Sequence, residues 1–360
     1  MRLSERISGW LRGLRSAAPA APDDAPRNCT HVILLDGTMS SMAPGEETNI
    51  GLTYRLLQDL PPDNSVRLYY EPGIQWRGLH RAHEVMAGIG INRQIRRAYT
   101  WLAEGYKPGD RVILMGFSRG AYAVRSLVGL INTMGLVRRD IVAPELVEEI
   151  YTLYRQAPGS AAARALSGRD CIPDIPIRFL GAYDTVRALG IRYPVVWRLL
   201  PLPHPYHNHS LGPNVEVARQ ALALDETRVA YAPILWNMTA PDRANRDVRQ
   251  VWFKGSHGDI GGQLSGMASA RPRSNVSLVW MLEEAAAAGL PLPEGWRARF
   301  PTDPDAPSVG SFRGFGKLFW ARRRRVVGRD PSEALHETAK GRPGVEDLTP
   351  PDPAPAPVTS

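Results

Sequence analysis

The sequence predicts an α/β protein, a mostly parallel central sheet flanked by helices. Three observations predict it. Short aliphatic runs, HVILL at 31–35, VILM at 112–115 and IPIRFL at 175–180, are separated by segments with helical periodicity. Runs that are apolar at nearly every position suit strands covered on both faces, as parallel strands are. Each run also ends in a polar, often glycine-containing stretch: Asp36-Gly37-Thr38, Gly116-Phe117-Ser118-Arg119-Gly120 and Tyr183-Asp184-Thr185. Open parallel sheets carry their sites at such carboxyl ends.

In chain order, residues 1–28 read as an appendage. Leu3, Ile7, Trp10, Leu11 and Leu14 share one helical face, and Arg2, Arg6, Arg12 and Arg15 punctuate the rest. This is a basic amphipathic segment, read either as a short docking helix or tail or as a peripheral contact with an anionic membrane. AAPAAPDDAP then reads as a linker. A domain of residues 29–340 follows. After the strand at 31–35, Thr48-Asn49-Ile50 opens a helix through about Leu60. VRLYY at 66–70 is the next strand, followed by a glycine-rich aromatic loop. A helix at about 89–104 places Ile91, Ile95, Ala98, Tyr99 and Leu102 on one face. Lys107-Pro108-Gly109-Asp110 turns the chain into the strand before Ser118. Beyond Ser118 a helix carries Ala121, Val124, Leu127, Val128 and Ile131 at helical spacing. More helix is expected across 140–170 and a strand at 175–182. A proline-, histidine- and aromatic-rich excursion at 191–212 reads as a lid or pocket wall. A helix is expected at about Val215–Leu224, a last clear strand at Arg249–Lys254, and a helix at Val276–Ala288. Residues 295–345 are basic and mixed, and the proline-rich tail, 341–360, reads as disordered.

The 360 residues, 43% hydrophobic, are enough for a sizeable core. No uncharged apolar run reaches the length that spans a bilayer. Arg and Glu interrupt the amino-terminal stretch, so no secretory h-region forms. The expectation is a cytoplasmic protein, or one exported by a route that needs no signal peptide. Cys29 and Cys171 lie far apart and without a C-x-x-C, so they are expected to be reduced and buried. The net charge of +8 comes largely from scattered arginines. It reads as a basic solvated surface that tolerates anionic partners, and no nucleic-acid partner is expected. The Arg322–Arg325 run beside Phe319 and Trp320 reads as helix decoration or as partners for acids.

The pattern around Ser118 is G-x-S-x-G between a strand and a helix. A nucleophilic serine must project from a very sharp turn. The residues two before and two after it, Gly116 and Gly120, crowd each other there, and the following helix aims backbone N–H groups at the reaction centre. A serine hydroxyl also needs a base, and the base needs a carboxylate to orient it. Asp184 after IRFLGAY and His257 after QVWFKGS supply these in the order Ser, acid, His, each beyond a strand. This order points to an α/β-hydrolase-like arrangement. Arg119 is expected to give one oxyanion N–H, and Gly37 or Thr38 the other. Asp36 is expected to anchor the loop that carries Gly37, and Asp259 to hold the loop of His257. His204, His207 and His209 form a cluster, but no second ligand group lies at a telling spacing, so no metal and no cofactor are expected. His31 reads as structural, and His80, His83 and His336 as surface or packing residues.

Four blocks carry a family likeness: VILLDGT (32–38), GFSRGAYAVRSLVGLI (116–131), FLGAYDTVRALG (179–190) and QVWFKGSHGDIGG (250–262). ARQALALDETR (218–228) and LHET (335–338) are similar too. On these the chain resembles the DUF2235 group of α/β-hydrolase-like proteins, related to the catalytic domain of bacterial type VI secretion phospholipase effectors. The resemblance implies Ser118, Asp184 and His257 as the catalytic triad. It departs from the family pattern in having Tyr183 where tryptophan is usual, and Ser256 and Gly258 beside the histidine. The implied activity is that of a serine hydrolase acting on a lipid or phospholipid acyl ester through an acyl-enzyme. The alternative is a non-catalytic module of the same fold that binds a partner protein or an anionic membrane surface.

Overall fold

The structure is a computed structural model that describes residues 29–62, 65–73, 89–186, 211–239, 246–312 and 320–341. The amino-terminal amphipathic segment, the proline-rich tail, His80, His83 and the 191–210 part of the excursion lie outside the described residues.

Strand β1 (Thr30–Leu35) is buried along its whole length. Helix α1 (Asn49–Gln58) begins where the Thr48 side chain accepts the Gly51 N–H. Strand β2 (Val66–Glu71) is half-buried at the sheet edge. Helix α2 (Ile89–Gly105) turns Ile91, Ile95, Ala98, Tyr99 and Leu102 inward, the face its periodicity predicts. Strand β3 (Arg111–Phe117) passes through Ser118 into helix α3 (Arg119–Met134). A short strand β4 (Leu136–Val137) precedes the 140–170 region. That region is two helices, α4 (Pro144–Gln156) and α5 (Ala161–Asp170), parted where Gly159 takes a positive φ and Ser160 caps α5. Strand β5 (Cys171–Ile172) then pairs antiparallel with β4. Strands β6 (Ile177–Tyr183), β7 (Val215–Ala223) and β8 (Asp247–Phe253) follow, then helices α6 (His257–Gly261) and α7 (Arg271–Ala287), and last strand β9 (Glu333–Leu335).

The main sheet has seven strands in the order β2-β1-β3-β6-β7-β8-β9. Each pairing in it is parallel. This is a parallel-sheet α/β-hydrolase-like fold. Strand side chains alternate between its faces. Ile33, Leu35, Val112, Leu114 and Leu180 pack into the layer with α2, α3 and α4. Val32, Leu34, Ile113, Met115 and Phe179 pack into the layer with α1 and α7. The chain leaves β1 toward β2 on one side and returns to β3 on the other. The carboxyl ends of β1 and β3 therefore flank a topological switch point, where open sheets of this type bind ligands.

One expected element is corrected. The segment expected as a helix at Val215–Leu224 is strand β7, hydrogen-bonded on both sides. Arg219 and Gln220 suggest a solvated helical face, but they are buried internal anchors. Arg219 pairs with Glu284 at 2.5 Å and Asp247 at 2.8 Å. Gln220 accepts from the Thr185 hydroxyl at 2.7 Å and donates to Gln250 at 3.2 Å. A short apolar run with paired polar groups carries no decisive period, and here tertiary partners decide. Strand β9 extends the sheet beyond Arg249–Lys254, which the sequence reads as the last clear strand.

Candidate active site

The turn at Ser118 is forced by its neighbours. Ser118 has φ 57° and ψ −118°, a conformation costly for any L-residue. A Cβ on Gly116 would lie 2.6 Å from the Gly120 carbonyl carbon and oxygen. A Cβ on Gly120 would lie 2.1 Å from the Leu35 carbonyl oxygen. Those contacts are with backbone, so neither position accommodates a side chain without moving a strand or a helix. The Ser118 N–H is held by the Tyr183 carbonyl at 2.9 Å. Arg119 opens α3, so its N–H belongs to the first helical turn, where intrahelical acceptors are lacking.

Three sequence-predicted residues meet at the strand ends. Ser118 Oγ lies 2.9 Å from His257 Nε2, and His257 Nδ1 lies 2.6 Å from Asp184 Oδ2. The three are buried, at 7%, 3% and 0% exposure in the order Ser118, His257, Asp184. His257 is not in an irregular loop but is the first residue of α6, and Ser256 with Asp259 forms the capping box of that helix. Its ring sits between the rings of Phe117 and Tyr231, each with a centroid 4.8 Å away. Burial lowers the imidazole from its ordinary 6.5, against the raising pull of Asp184. Asp184 follows β6 with φ 41° and accepts the Ala223 N–H on Oδ1 at 3.1 Å. Burial by itself pushes this carboxyl up. The Arg325 guanidinium and the His257 ring outweigh that and hold it well below the usual carboxylate range.

The supporting aspartates do what their turn positions suggest. Asp36 is buried and accepts from the Gly37 N–H at 2.6 Å, the Thr48 hydroxyl at 2.7 Å and the Tyr70 hydroxyl at 2.9 Å. Burial nevertheless outweighs these bonds and raises it to about 6. Asp259 accepts from the Ser256 N–H at 2.7 Å, the Ser256 hydroxyl at 2.8 Å, the Ser308 hydroxyl at 2.5 Å and the Val309 N–H at 2.8 Å. Gly37 packs on the Phe117 ring, where a Cβ would come within 2.6 Å. Its N–H is engaged by Asp36, which leaves Thr38 as the position of this loop to weigh as an oxyanion donor. Gln263 steadies Thr38 by donating to its carbonyl at 3.0 Å, and the buried Thr38 hydroxyl has no partner among the described residues.

Two residues around the site, Glu226 and Arg228, have no role in the sequence reading, and a third, Arg325, is read only within an arginine run that decorates a helix or partners acids; it partners an acid, Asp184. Arg325 grips Asp184 with both terminal nitrogens, at 2.5 and 2.9 Å. The segment of Arg322–Arg325 is not helical, and Arg322 turns instead onto Phe312, Ser311 and Thr227. Glu226 receives the His257 N–H at 3.3 Å and pairs with Arg228 at 2.6 Å. Both lie in the 218–228 block of the family likeness, the one signal that marked them. His31 is buried and bonded to Asp110 at 2.8 Å, far in sequence from these groups and at the opposite end of β1. His336 stacks on Phe253 with centroids 4.4 Å apart. Cys29 and Cys171 are buried and are not joined in a disulfide. Among the described residues no cluster of His, Cys, Asp and Glu is arranged to hold a metal, and no helix is long and apolar enough to cross a membrane. His204, His207 and His209 lie outside the described residues.

Comparison with known proteins gives a family match. Residues 30–284 match the model of the family described as T6SS, phospholipase effector Tle1-like, catalytic domain. The uncharacterized protein YEL023C of Saccharomyces cerevisiae is 27% identical over 258 residues, taking in 63% of this chain and 36% of that protein. The chain thus spans about a third of the length of this curated relative. Among solved structures, an uncharacterized protein from Pseudomonas aeruginosa is similar with a TM-score of 0.43 and 17% identity, over 84% of this chain and 53% of the other. The Tle1 effector bound to the VgrG spike of the type 6 secretion system is similar with a TM-score of 0.37 and 19% identity, over 66% of this chain and 52% of the other.

Proposed function

Because the chain belongs to the family of T6SS phospholipase effector Tle1-like catalytic domains, we propose that it is a serine hydrolase that cleaves an acyl ester of a lipid, most simply a phospholipid. The observation that carries the reading is the hydrogen-bonded chain from Ser118 Oγ through the His257 ring to the Asp184 carboxylate. In this reading Ser118 Oγ attacks the ester carbonyl carbon while His257 Nε2 takes the hydroxyl proton. The negative charge that develops on the carbonyl oxygen is met by the N–H groups of Arg119 and Thr38. The tetrahedral intermediate collapses, the C–O bond to the alcohol breaks, and His257 returns the proton to the leaving oxygen. Water then repeats the sequence on the acyl-enzyme, and the fatty acid leaves. Asp184 holds the proton on Nδ1, so that Nε2 presents its lone pair to the serine. The low burial-shifted basicity of His257 keeps that lone pair free near neutral pH.

The test is hydrolysis of short-chain esters and of phospholipid vesicles by the purified protein and by Ser118→Ala. We expect the variant to keep its fold and to lose turnover by a factor on the order of 10³ or more, together with all fluorophosphonate labelling. Unchanged ester turnover in Ser118→Ala would remove Ser118 as nucleophile. A folded wild type that neither turns over esters nor labels would favour the binding module.

A further inference from the structure

Beyond the matched span of 30–284, the chain returns to the site. Residues 321–325 run as a strap beside 227–231. Two backbone bonds tie it there, Val229 N–H to Ala321 O at 3.0 Å and Arg323 N–H to Thr227 O at 2.8 Å. At its end Arg325 reaches inward, with 5% of its side chain exposed. One terminal nitrogen donates to Asp184 Oδ1 at 2.5 Å and to the Ala223 carbonyl at 2.8 Å. The other donates to Asp184 Oδ2 at 2.9 Å and to the Tyr231 carbonyl at 2.6 Å. We propose that Arg325 is a positioning residue for the reaction, fixing the orientation and the charge of the carboxylate on which His257 depends, and that the strap is therefore a working part of the site. This rests on the assignment of Ser118, His257 and Asp184 given above.

The geometry gives Arg325 two tasks. Asp184 sits at φ 41°, a strained conformation that persists only where the surroundings hold it. Its oxygens are fixed from four sides: Oδ1 by Ala223 and Arg325, Oδ2 by His257 and Arg325. A bidentate guanidinium sets the plane of a carboxylate as well as its position. The second task is electrostatic. With Arg325 present, the group of Arg325, Asp184 and neutral His257 carries no net charge, and adding a proton makes it cationic in a buried place. Without the guanidinium, the pair of Asp184 and neutral His257 is anionic, and adding a proton neutralises it. Whichever atom takes that proton, the pair holds it more tightly once Arg325 is gone.

The other charged groups facing the ring do not substitute for Arg325. Glu226 and Arg228, from the segment after β7, form an ion pair with each other. Tyr231 meets the imidazole edge-on. Asp259 in α6 is committed to Ser256, Ser308 and Val309. Arg119 at the start of α3 has burial as the main influence on it and Tyr231 as its electrostatic neighbour.

The experiment is the pH dependence of the rate at which a fluorophosphonate labels Ser118, followed by mass spectrometry on the full chain. The wild-type acid limb is expected below 6.5. In Arg325→Gln, which keeps a donor for the Ala223 and Tyr231 carbonyls, the limb should move up by about 1–3 pH units. In Arg325→Lys, which keeps the charge but not the fork, the limb should stay within about half a unit while the plateau rate falls about tenfold or more. Labelling in Arg325→Gln with the wild-type limb overturns the inference while leaving the site assignment standing. So does an Arg325→Lys protein that labels at the wild-type rate, and this second variant serves if the neutral one does not fold. A wild type that does not label at Ser118 removes the site assignment itself, and the inference with it.

Discussion

Gly120→Ala isolates the packing that aims Ser118, because it adds one methyl group and removes no functional atom. The added Cβ would stand 2.1 Å from the Leu35 carbonyl oxygen, 2.6 Å from the Leu35 carbonyl carbon and 2.6 Å from the Asp36 carbonyl oxygen. Real Cβ atoms do not approach closer than about 3.0 Å, so at least about 0.9 Å must be found by moving α3 away from the end of β1. These are backbone atoms of a strand bonded on both sides, to β2 and β3, so the strand does not yield. Overpacking of this kind costs roughly 1–3 kcal/mol. The larger effect falls on function, because Ser118 and Arg119 ride on the displaced helix end. A misplacement of about 1 Å costs on the order of 10² in rate.

The assay is the second-order rate of fluorophosphonate labelling, alongside a urea melt. Gly168→Ala is the control, since it lies in α5 and its added Cβ would meet nothing within 4 Å beyond its own stretch of helix. That control should be neutral or stabilise by up to about 1 kcal/mol, as alanine does in place of an exposed helical glycine. A Gly120→Ala protein that labels within about threefold of wild type and melts at the wild-type urea concentration would refute the reasoning. The close approach of α3 to β1 would then not be what aims the serine.

Two further perturbations read the supporting aspartates. Asp259→Ala leaves the buried N–H groups of Ser256 and Val309 without acceptors, so unfolding free energy should drop by on the order of 3 kcal/mol and Ser118 labelling should slow as α6 loosens. A urea midpoint within error of wild type would show that the capping box does not hold His257 in place. Asp36 has a folded pKa near 6, raised by burial above its unfolded value near 3.8. The native state therefore binds this proton more tightly, and the contribution of Asp36 to stability is greatest below about 4 and is lost as pH rises through about 6. Relative to Asp36→Asn, wild type should lose about 3 kcal/mol across that window, measured as paired urea melts from pH 4 to pH 7. A constant difference between the two proteins would show that Asp36 ionises in the fold as it does in water.

The parts of the molecule legible in the sequence are those where local rules and tertiary demands agree. The aliphatic runs of β1, β3 and β6, the Thr48 cap and the glycine pair around Ser118 each state their conformation in a few residues. The meeting of the three candidate side chains was legible because Ser118 and Asp184 each follow a strand directly and His257 stands a short turn beyond β8, so that naming the strands names the place. Strand β7 was not legible, because Arg219 and Gln220 look solvated until Glu284, Asp247, Thr185 and Gln250 are in view. Arg325 was hidden in a run of four arginines, of which Arg323 and Arg324 are exposed. The physical hint was indirect: a buried carboxylate needs N–H or O–H donors, as Asp36 and Asp259 have, or a counter-charge, as Asp184 has, and the sequence does not say which, or from where along the chain it comes.

What brings Ser118 and Asp184 to one level is the register of β3 on β6. Phe117 faces Tyr183 in the ladder, and Tyr183 faces Ala221. The residues after them continue the parallel pattern by one bond each, Ser118 N–H to Tyr183 O at 2.9 Å and Asp184 N–H to Ala221 O at 2.7 Å. That register exists only because of an irregularity at the other end of the strand. Val112 pairs with Ile177 but Ile113 pairs with Phe179, so Arg178 is an extra residue on β6. Were Arg178 paired with Ile113 in the ladder instead, Phe117 would face Ala182, the side chains of β6 beyond Ile177 would exchange sheet faces relative to β3, and Tyr183 would stand where Asp184 now does. The Arg178 side chain is anchored outside the ladder, to the Ala288 carbonyl at 2.8 Å and to the Glu216 carboxylate. A bulge at the amino end of β6, held by an arginine bonded to none of Ser118, Asp184 and His257, thus sets which residue meets the histidine at the carboxyl end.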